Sequence, residues 1–490
     1  MKKLSQLGLR AKDGRDPGIT GISVDSRMVK PGHLFAALPG TAMHGAEFIP
    51  YALRMDAVAV LTDRAGAEMA ADALAAWDGA IAVAEDPRAA LAGAASLWFE
   101  RQPDHVVAVT GTSGKTSVAN FTRQIWQALG HKAISLGTMG VEGDFQARLA
   151  HTTPEPVTLH RVLSEAAEAG VTYAAMEASS HGLVQRRLDG VRVEAGAFTN
   201  FSQDHLDYHA GFDEYFAAKA LLFNRILEDG EAAVINIDSE RGRQMADIAT
   251  DRGLALTTIG THKDAMLRIL GQRYDSTGQD LRFSVMGQAH MVRLALIGGF
   301  QAENVLAAMG LVMATGDSAE HVIQVMPDLH TVRGRMQLVA QRDNGATVFV
   351  DYAHKPGALI AALQSLRPHV MGRVVVVMGA GGDRDRGKRP LMGEATRQFA
   401  DVVIVTDDNP RTEDPAAIRA AVMQGAGPDA TEIGDRAEAI LRGVDALQAG
   451  DALLIAGKGH ETGQIVGQDV YPFDDAEQAS VAVAALDGRI

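Results

Sequence analysis

Short apolar runs alternate with amphipathic stretches along most of the chain. In the amphipathic stretches apolar residues recur every three or four positions, as at Val118, Phe121 and Ile125, which is the spacing of one helix face. Buried strands alternating with such helices are typical of an α/β fold with a largely parallel sheet. The apolar runs that we predict to be buried strands are residues 106–109, 173–176, 232–235, 347–350, 374–378, 402–405 and 453–456.

Length and composition are those of a globular protein with several domains. The chain has 490 residues, enough for about three domains, and 47% of them are hydrophobic and 22% charged. The formal net charge of -15 argues against general nucleic-acid binding, which needs basic surfaces. The sequence contains no cysteine, so disulfides, thiol catalysis and cysteine-ligated zinc are excluded.

The chain carries no pattern of a secretion signal or of a membrane span. The lysines at positions 2 and 3 are not followed by an apolar stretch, and the longest apolar runs, such as residues 374–378, are far too short to cross a bilayer. We therefore expect a cytoplasmic protein without membrane insertion.

Polar clusters follow six of the predicted strands. They are residues 110–116, 177–181, 351–354, 379–384, 407–411 and 457–461. Ligands of open α/β sheets bind outside the carboxyl ends of the strands, so these clusters are candidates for one or more binding sites. Because they divide into two sets, before and after residue 330, we predict two α/β domains that face each other across a cleft.

The first cluster, Thr110-Gly-Thr-Ser-Gly-Lys-Thr116, is typical of a phosphate-binding loop. A glycine-rich turn that opens a helix directs backbone N–H groups at phosphates, while Lys115 would reach the outer phosphates and the Thr116 hydroxyl would bind Mg²⁺. Val109 stands where the common pattern has an earlier glycine. The alternative is an ordinary glycine-rich turn between a strand and a helix.

Candidate metal contacts lie further along the first half of the chain. Glu177 ends a strand and suits a magnesium site near the phosphate loop, although it could also be a helix N-terminal acid beside two capping serines. His205, in the polar stretch 199–209, is a candidate metal contact or a structural histidine. Lys219 lies on a predicted helix at 212–222, where a solvated lysine is the simpler interpretation.

Arginines and glycines dominate the clusters of the second half. Arg333 and Arg335 flank Gly334, and such arginines bind phosphate or form a basic surface turn. Asp351, at a strand end, could hold a ribose hydroxyl. The stretch 379–389 combines four glycines with four basic residues, as in an anion-binding loop. Arg411, which could also be a solvated loop arginine, follows an Asn-Pro pair.

Taken together, these strings resemble those of the Mur ligases of bacterial cell-wall synthesis, within which the likeness is to the enzymes that add the third residue of the peptide stem. The resemblance covers nearly the whole chain, and in this family the phosphate loop also lacks the early glycine. The matching strings are Asp25-Ser-Arg27, Gly111-Thr-Ser-Gly-Lys-Thr116, Thr152-Thr-Pro154, Met176-Glu-Ala-Ser-Ser-His181, Asp204-His-Leu-Asp-Tyr-His209, Arg333-Gly-Arg335, Asp351-Tyr-Ala-His354, Gly381-Gly-Asp-Arg-Asp385, Asp408-Asn-Pro-Arg411 and Gly457-Lys-Gly-His-Glu461.

The resemblance implies three α/β domains and an ATP- and Mg²⁺-dependent ligase. They would be a UDP-sugar-binding domain at 1–100, a central P-loop-type parallel-sheet ATPase domain at 101–330 and a Rossmann-like, amino-acid-binding domain at 331–490. Breaks at Arg101-Gln-Pro-Asp104 and between Met326-Pro327 and Gly334 are consistent with these bounds. The acceptor would be UDP-N-acetylmuramoyl-L-alanyl-D-glutamate and the incoming amine meso-diaminopimelate, joined through an acyl phosphate. We expect a monomer.

The resemblance also implies roles for particular residues. Lys115, Lys219 and His205 would be catalytic, with Lys219 carbamylated, and the metal contacts would be Thr116, Glu177, His205 and Lys219. The ATP contacts would be Gly111, Thr112, Ser113, Gly114, Lys115, Thr116, Ser117, Asn304, Arg335 and Asp351. The acceptor contacts would be Ser26, Thr152, Thr153, Ser179, Gln185 and Arg187. The diaminopimelate contacts would be Arg384, Asp408, Asn409, Pro410, Arg411, Gly457 and Glu461.

Two departures from the family pattern and two other functions stay open at this point. Gln301-Ala302 replaces the more usual Phe-Asn near Asn304, and Arg333 replaces a proline. A folylpolyglutamate synthetase would share the phosphate loop but should lack the Asp25-Ser-Arg27 and Asn409-Pro-Arg411 strings. A non-catalytic ATP-binding switch would need no amino-acid acceptor.

Overall fold

A computed structural model of the protein describes residues 1–40, 43–201 and 211–490. The chain divides into two compact units, one formed by residues 1–268 and 304–322 and the other by residues 269–303 and 323–490. The division into three domains stays a prediction.

Strands occur along the whole described chain. In chain order they are β1 (Lys2–Lys3), β2 (Gly18–Ile19), β3 (Gly21–Ser23), β4 (His33–Ala36), β5 (Ala59–Thr62), β6 (Ala80–Val83), β7 (His105–Thr110), β8 (Ala133–Gly137), β9 (Gly140–Gly143), β10 (Tyr173–Glu177), β11 (Ala195–Phe198), β12 (Ala232–Asn236), β13 (Ala255–Gly260), β14 (Leu267–Asp275), β15 (Gly278–Val285), β16 (Gln288–Leu294), β17 (Gln337–Gln341), β18 (Thr347–Asp351), β19 (Val374–Met378), β20 (Val402–Val405), β21 (Thr431–Glu432), β22 (Ala452–Ala456), β23 (Gly463–Val466) and β24 (Asp469–Pro472). The seven predicted strands are thereby confirmed.

Helices connect most of these strands. In chain order they are α1 (Ile49–Arg54), α2 (Arg64–Met69), α3 (Ala71–Ala75), α4 (Pro87–Phe99), α5 (Lys115–Ala128), α6 (Pro156–Glu168), α7 (Ser180–Val184), α8 (Phe212–Leu221), α9 (Glu240–Asp251), α10 (Phe300–Ala314), α11 (Ala319–Val325), α12 (Pro356–Leu366), α13 (Lys388–Phe399), α14 (Pro415–Ala426), α15 (Arg436–Asp445) and α16 (Asp475–Leu486).

The first unit contains two mainly parallel sheets. One has the strand order β3-β4-β5-β6, and in the other β7 is flanked by β10 and β11, in the order β13-β12-β11-β7-β10-β8-β9. The central strands are buried because they are apolar on both faces, as parallel sheets require. Their register places Glu177 beside Val109 and Phe198 beside Thr110, so the segments that follow these strands emerge at one edge.

The second unit is built on the sheet β17-β18-β22-β19-β20-β21, which is parallel except for β17. One apolar core covers each face of this sheet. Ala456 pairs with both Asp351 and Met378, and Met378 pairs with Val405. Because these four strands end in register, four of the polar clusters emerge at the same edge.

Within the described residues we find no helix with the length and apolar character needed to cross a membrane.

Candidate active site

The glycine-rich loop after β7 has the backbone of a phosphate-binding turn. Gly111 and Gly114 have φ angles of 144° and 88°, which L side chains rarely adopt, and α5 begins directly after Gly114. A Cβ at Gly111 would collide with the Thr199 side chain, and one at Gly114 would lie 2.5 Å from Asn304 Oδ1. Both glycines are therefore required, and the loop leads into the N-terminus of a helix of four turns, where anions bind.

The side chains around this loop hold its shape. Lys115 Nζ donates to the carbonyls of Gly111 (2.9 Å) and Thr112 (2.8 Å), so its charge lies over the loop. The Ser113 N–H donates to Asn200 Oδ1 at 2.9 Å, while the Thr199 hydroxyl donates to the Ser113 carbonyl at 2.6 Å. Sequence analysis assigned no role to Thr199 and Asn200, although they open the polar stretch 199–209 in which it placed a candidate metal contact.

Glu177 and Thr116 provide paired oxygen ligands beside the loop. The Thr116 hydroxyl donates to Glu177 Oε1 at 3.0 Å, and this carboxylate is 2% exposed. The Thr138 N–H also donates to Oε1, at 2.8 Å, which fixes the carboxylate. A hydroxyl and a carboxylate suit Mg²⁺, which commonly takes one or two protein carboxylates together with substrate phosphates. Within the described part of the chain, no cluster of three or more His, Cys, Asp or Glu suited to a metal ion is found.

Lys219 is not a solvated helix lysine. Its side chain is 1% exposed, its Nζ donates to the Gly111 carbonyl at 2.7 Å, and it lies 4.1 Å from the centre of the Tyr215 ring. The structure thus brings the predicted catalytic lysine to the start of the phosphate loop. Its carbamylation stays a prediction, and the predicted metal contact His205 lies outside the described residues.

The residues predicted to hold the acceptor cluster around the end of β10, with one exception. Thr153 is buried, accepts from the Ser179 N–H (3.1 Å) and donates to the Glu177 carbonyl (2.8 Å). Arg187 donates to the Thr153 carbonyl at 2.6 Å and to Gln185 Oε1. Burial lowers the pKa of Arg187.

Thr152 and Ser26 complete the predicted acceptor contacts. The Thr152 hydroxyl lies 3.1 Å from that of Thr138, which in turn contacts Glu177. Ser26 is buried in a 3₁₀ turn, Ser26–Met28, whose N-cap is Asp25. Among the predicted acceptor contacts, Ser26 alone belongs to the N-terminal part of the first unit.

Asn304 lies on α10 and is 4% exposed, and its side chain limits the space at Gly114. The neighbouring Gln301 and Ala302, where the chain departs from the family pattern, are buried as well.

In the second unit, Arg335, Asp351 and His460 surround Tyr352. The Arg335 guanidinium lies 5.1 Å from the Tyr352 ring and the His460 ring 5.0 Å from it. Both Asp351 oxygens accept backbone N–H groups, from Met336 and Ala353, and burial raises the pKa of this carboxyl. Among the described residues Arg335 Nε and His460 Nδ1 are buried without a hydrogen-bond partner, as expected of atoms that meet a ligand.

The loop that contains Arg411 packs against the glycine-rich loop after β19. Arg411 has a φ of 51°, unusual for a residue other than glycine, and its Nη1 donates to the Gly382 carbonyl at 2.9 Å. A Cβ at Gly381 would lie 2.9 Å from the same Nη1. Arg384, the other predicted anion contact, is exposed in this loop and donates to the Asp383 carbonyl at 3.1 Å.

Asp408 and Asn409 connect this loop to the loop after β22. Asn409 Nδ2 donates to Glu461 Oε2 at 2.8 Å, and a Cβ at Gly457 would lie 2.5 Å from Asp408 Oδ2. Pro410 lies between Asn409 and Arg411, and its carbonyl accepts from the Glu413 N–H at 3.1 Å. All the residues predicted to bind the amine are therefore close together in one unit.

Three further buried charged residues support these loops, and sequence analysis assigned no role to any of them. Lys458 is completely buried and donates to Asn409 Oδ1 at 3.0 Å. Arg436 and Asp475 form a fully buried ion pair at 2.7 Å, and Arg436 also donates to the carbonyls of Asp407 and Ala456. The position of Lys458 between two motif glycines was a usable signal, whereas nothing in the sequence pairs Arg436 with Asp475.

Comparisons with known proteins agree with this arrangement. Residues 18–98 match the model of the Mur ligase family, catalytic domain, residues 109–312 the Mur ligase middle domain, and residues 334–459 the Mur ligase, glutamate ligase domain. A UDP-N-acetylmuramoyl-L-alanyl-D-glutamate--2,6-diaminopimelate ligase from Bradyrhizobium diazoefficiens is 50% identical over 475 residues, which cover 95% of each chain.

Solved structures show the same likeness. The structure of another UDP-N-acetylmuramoyl-L-alanyl-D-glutamate--2,6-diaminopimelate ligase has a TM-score of 0.72 and 34% identity, and the match covers 96% of this chain and 95% of that one. A folylpolyglutamate synthase from Mycobacterium tuberculosis has a TM-score of 0.60 at 20% identity, covering 82% and 95% of the two chains, which is a likeness of fold alone. The family models and the full-length identity establish that this chain belongs to the Mur ligase family.

Proposed function

We propose that this protein is an ATP-dependent ligase that adds meso-diaminopimelate to UDP-N-acetylmuramoyl-L-alanyl-D-glutamate. The observation that carries the proposal is the junction of two loops in the second unit. The Asn409–Glu461 hydrogen bond joins the loop of Arg411 to the loop of Gly457. A substrate that carries a distal ammonium and a distal carboxylate needs one fixed anion and one fixed cation, which Glu461 and Arg411 would supply.

The first unit would hold ATP and the acceptor. The phosphate loop, with Lys115 and Thr116, would bind the phosphates, and Asn304, whose side chain lies beside Gly114, would contact the adenine. Thr116 and Glu177 would hold Mg²⁺, which would supply positive charge to offset that of the phosphate oxygens. In the second unit, Arg335, whose buried Nε has no hydrogen-bond partner among the described residues, would bind a phosphate.

The reaction then takes place in two steps. An oxygen of the acceptor's glutamyl γ-carboxylate attacks the γ-phosphorus of ATP. ADP departs, and the acceptor now carries an acyl phosphate. The amino nitrogen of diaminopimelate attacks the acyl carbon, phosphate leaves with its bridging oxygen, and the nitrogen loses a proton. Lys115 stabilises the charge that develops on the transferred phosphoryl group.

The acceptor contacts follow from the cluster at the end of β10. Arg187, whose position Thr153 and Gln185 fix, would pair with an acceptor carboxylate, while Thr152 and Ser179 would donate hydrogen bonds. Ser26 would contact the uridine end. In the amine site, Arg384 would be a second anion contact, and the backbone of Asp408, Pro410 and Gly457 would shape the pocket.

The experiment measures phosphate release with ATP, the UDP-muramoyl-dipeptide acceptor, and diaminopimelate or lysine in turn. Release that needs the acceptor and prefers diaminopimelate supports the proposal. Lys115→Ala should lower the rate by a factor of ~10²–10³, because it removes a contact to the transferred phosphate, whereas Lys132→Ala, an exposed lysine after the same helix, should change little. ATP turnover without acceptor would instead indicate an ATP-binding switch, and use of a folate acceptor a folylpolyglutamate synthetase.

The proposal also covers the location of the protein, its oligomeric state and its division into domains. It acts in the cytoplasm, where ATP and the nucleotide-linked acceptor are available. It acts as a monomer, which sedimentation equilibrium would test. It uses residues 1–100, 101–330 and 331–490 as three domains, which limited proteolysis at 101–104 and 326–334 would test.

A further inference from the structure

Lys458 is completely buried in the loop after β22, next to the proposed amine site. Its Nζ donates to Asn409 Oδ1 at 3.0 Å and to the Gly463 carbonyl at 2.6 Å, and it lies 3.6 Å from Glu461 Oε2. A buried ammonium is costly unless it is paired and hydrogen-bonded, and here three oxygens surround it. These contacts connect it to two of the residues proposed to bind the amine.

The contacts of Lys458 determine which way the Asn409 amide faces. Asn409 Oδ1 accepts from two donors, Lys458 Nζ and the Ile465 N–H at 2.9 Å. The Nδ2 group must then face the other way, and it donates to Glu461 Oε2. The reverse orientation would set N–H groups against two donors, which leaves buried groups unsatisfied. Lys458 and the Ile465 N–H together thus fix the amide that holds the Glu461 carboxylate.

The hairpin β23–β24 holds the same loop from its other side. Gln464 Nε2 donates to the Asp408 carbonyl at 2.7 Å, and the Arg411 N–H donates to the Ile465 carbonyl at 3.0 Å. Lys458 is bound to this hairpin through the Gly463 carbonyl. One side chain therefore links the hairpin, the Asp408–Arg411 segment and Glu461.

We propose that Lys458 is a positioning residue for the incoming amine, which acts through Asn409 to aim Glu461 at the distal ammonium of the substrate. Because Asn409 and Lys458 both approach Oε2, we assign Oε1 to the ammonium. The inference rests on the proposed function of the second unit as the amine site. Lys458 itself does not touch the substrate in this scheme.

The experiment replaces Lys458 with methionine, which has a similar length and no charge. We expect Lys458→Met to raise the KM for diaminopimelate by a factor of ~10–100, because a displaced binding group costs that much. The KM values for ATP and for the UDP-acceptor should stay within about threefold of wild type. Arg342→Met, which breaks a 2.8 Å ion pair to Asp487 in the same unit, is the matched control and should leave all three KM values unchanged.

A second comparison separates positioning from general loss of structure. Glu461→Gln alone should raise the KM for diaminopimelate, and adding Lys458→Met to that variant should raise it by less than about threefold more, since both changes disable one contact. Multiplicative effects in the double variant would overturn the inference. If Lys458→Met does not fold, Lys458→Gln, which keeps a hydrogen-bond donor, should fold and show a smaller rise in the same constant.

The outcomes also separate this inference from the proposed function. Wild-type enzyme that does not use diaminopimelate would refute the proposed function. Wild-type enzyme that uses it, together with a folded Lys458→Met or Lys458→Gln variant that has a wild-type KM for diaminopimelate, would refute the role of Lys458 alone. Equal rises in all three KM values would also refute it, since they would indicate a merely structural role.

Discussion

Arg411 is an arginine in a backbone conformation that favours glycine. Its φ of 51° is held by the Ile465 carbonyl, which accepts its N–H, and by the Gly467 N–H, which donates to its carbonyl. A non-glycine residue in this region costs about 1–3 kcal/mol and persists where the surroundings impose it, commonly at functional sites. The strain is consistent with a side chain that must be aimed at a ligand.

We expect two substitutions at Arg411 to separate strain from function. Both Arg411→Ala and Arg411→Gly should lose most activity with diaminopimelate and change little with lysine, because only diaminopimelate carries the distal carboxylate. Sites built on such polar contacts discriminate by a factor of ~10⁴ or more. The glycine variant should be more stable than the alanine variant by about 1 kcal/mol, since glycine adopts positive φ without a steric cost.

The measurements are kcat/KM for both amines and thermal unfolding of both variants. Comparable rates with the two amines in the wild-type enzyme would refute the assignment of Arg411. Equal stability of the glycine and alanine variants would show that the conformation is not strained.

Lys219 is the second residue with an individual prediction. Carbamylation turns its amine into an anion, so Lys219→Ala should be nearly inactive and partly rescued by a short carboxylic acid that fills the space left in this buried position. The matched control is Lys115→Ala, which removes a cation and should not respond to the acid. Phosphate release is measured with and without acetate. An absence of rescue, together with electron density for an unmodified amine at Lys219 in crystals grown with Mg²⁺, would contradict the prediction.

Sequence patterns predicted which polar residues lie together at the strand ends better than how they are held. Motif residues such as Lys115 and Glu177 were identified because they follow predicted strands. The burial of Lys219 was not predicted, because a lysine on a helix is usually solvated and its contacts with Tyr215 and Gly111 depend on tertiary packing. The same holds for Lys458, because its contact with Asn409 joins segments that are distant in the sequence.

At the scale of elements, register explains why the motifs converge. The parallel strands β18, β22, β19 and β20 end at paired residues, so the loops that follow lie side by side. The pattern of apolar runs predicted these strands, since each is a short stretch of consecutive apolar residues. It missed β5 and β6, whose alanines have low β propensity, and β8, which includes serine and glycine.

The contribution of the Arg389–Glu413 ion pair to the stability of the second unit should depend on pH. Arg389, which is buried on α13, donates twice to Glu413, and this lowers the pKa of the Glu413 carboxyl from 4.5 to about 2. Since the folded-state pKa lies below the unfolded value, the ionised carboxylate stabilises the fold fully above pH 4.5. This contribution is lost as the pH falls toward 2.

Glu413→Gln should therefore lower the thermal midpoint most at neutral pH. The difference from wild type should shrink between about pH 5 and about pH 3. Glu432→Gln, which removes a more exposed partner of Arg419, is the matched control and should have a small effect at every pH. A constant difference between wild type and Glu413→Gln across this range would contradict the assignment of the low pKa.

At the scale of the whole molecule, the α/β class and the position of the motifs after the strands were predictable. The division of the chain between the two compact units was not. Residues 304–322 belong to the first compact unit although residues 269–303 belong to the second. The order of strands and helices along the chain does not show which segments belong to which unit. That assignment depends on which apolar faces pack together in the folded protein. The N-terminal part likewise contacts the segment after α7, where Arg186 is bonded to both Asp86 and Asp189.

Removing the Asp475 charge should destabilise the second unit and leave the first unit unchanged. Arg436 and Asp475 are both completely buried, and Arg436 also supports the carbonyls of Asp407 and Ala456 behind the proposed amine site. Asp475→Asn leaves the Arg436 guanidinium without its counter-charge, which costs about 3–5 kcal/mol of stability.

In Asp475→Asn we expect faster hydrogen exchange in β18, β19, β20 and β22 and unchanged exchange in β7, β10 and β11 of the first unit. Ser480→Ala, on the same helix α16 but exposed, is the control. Hydrogen exchange followed by mass spectrometry measures both units in one sample, and equal loss of protection in the two would show that they unfold together.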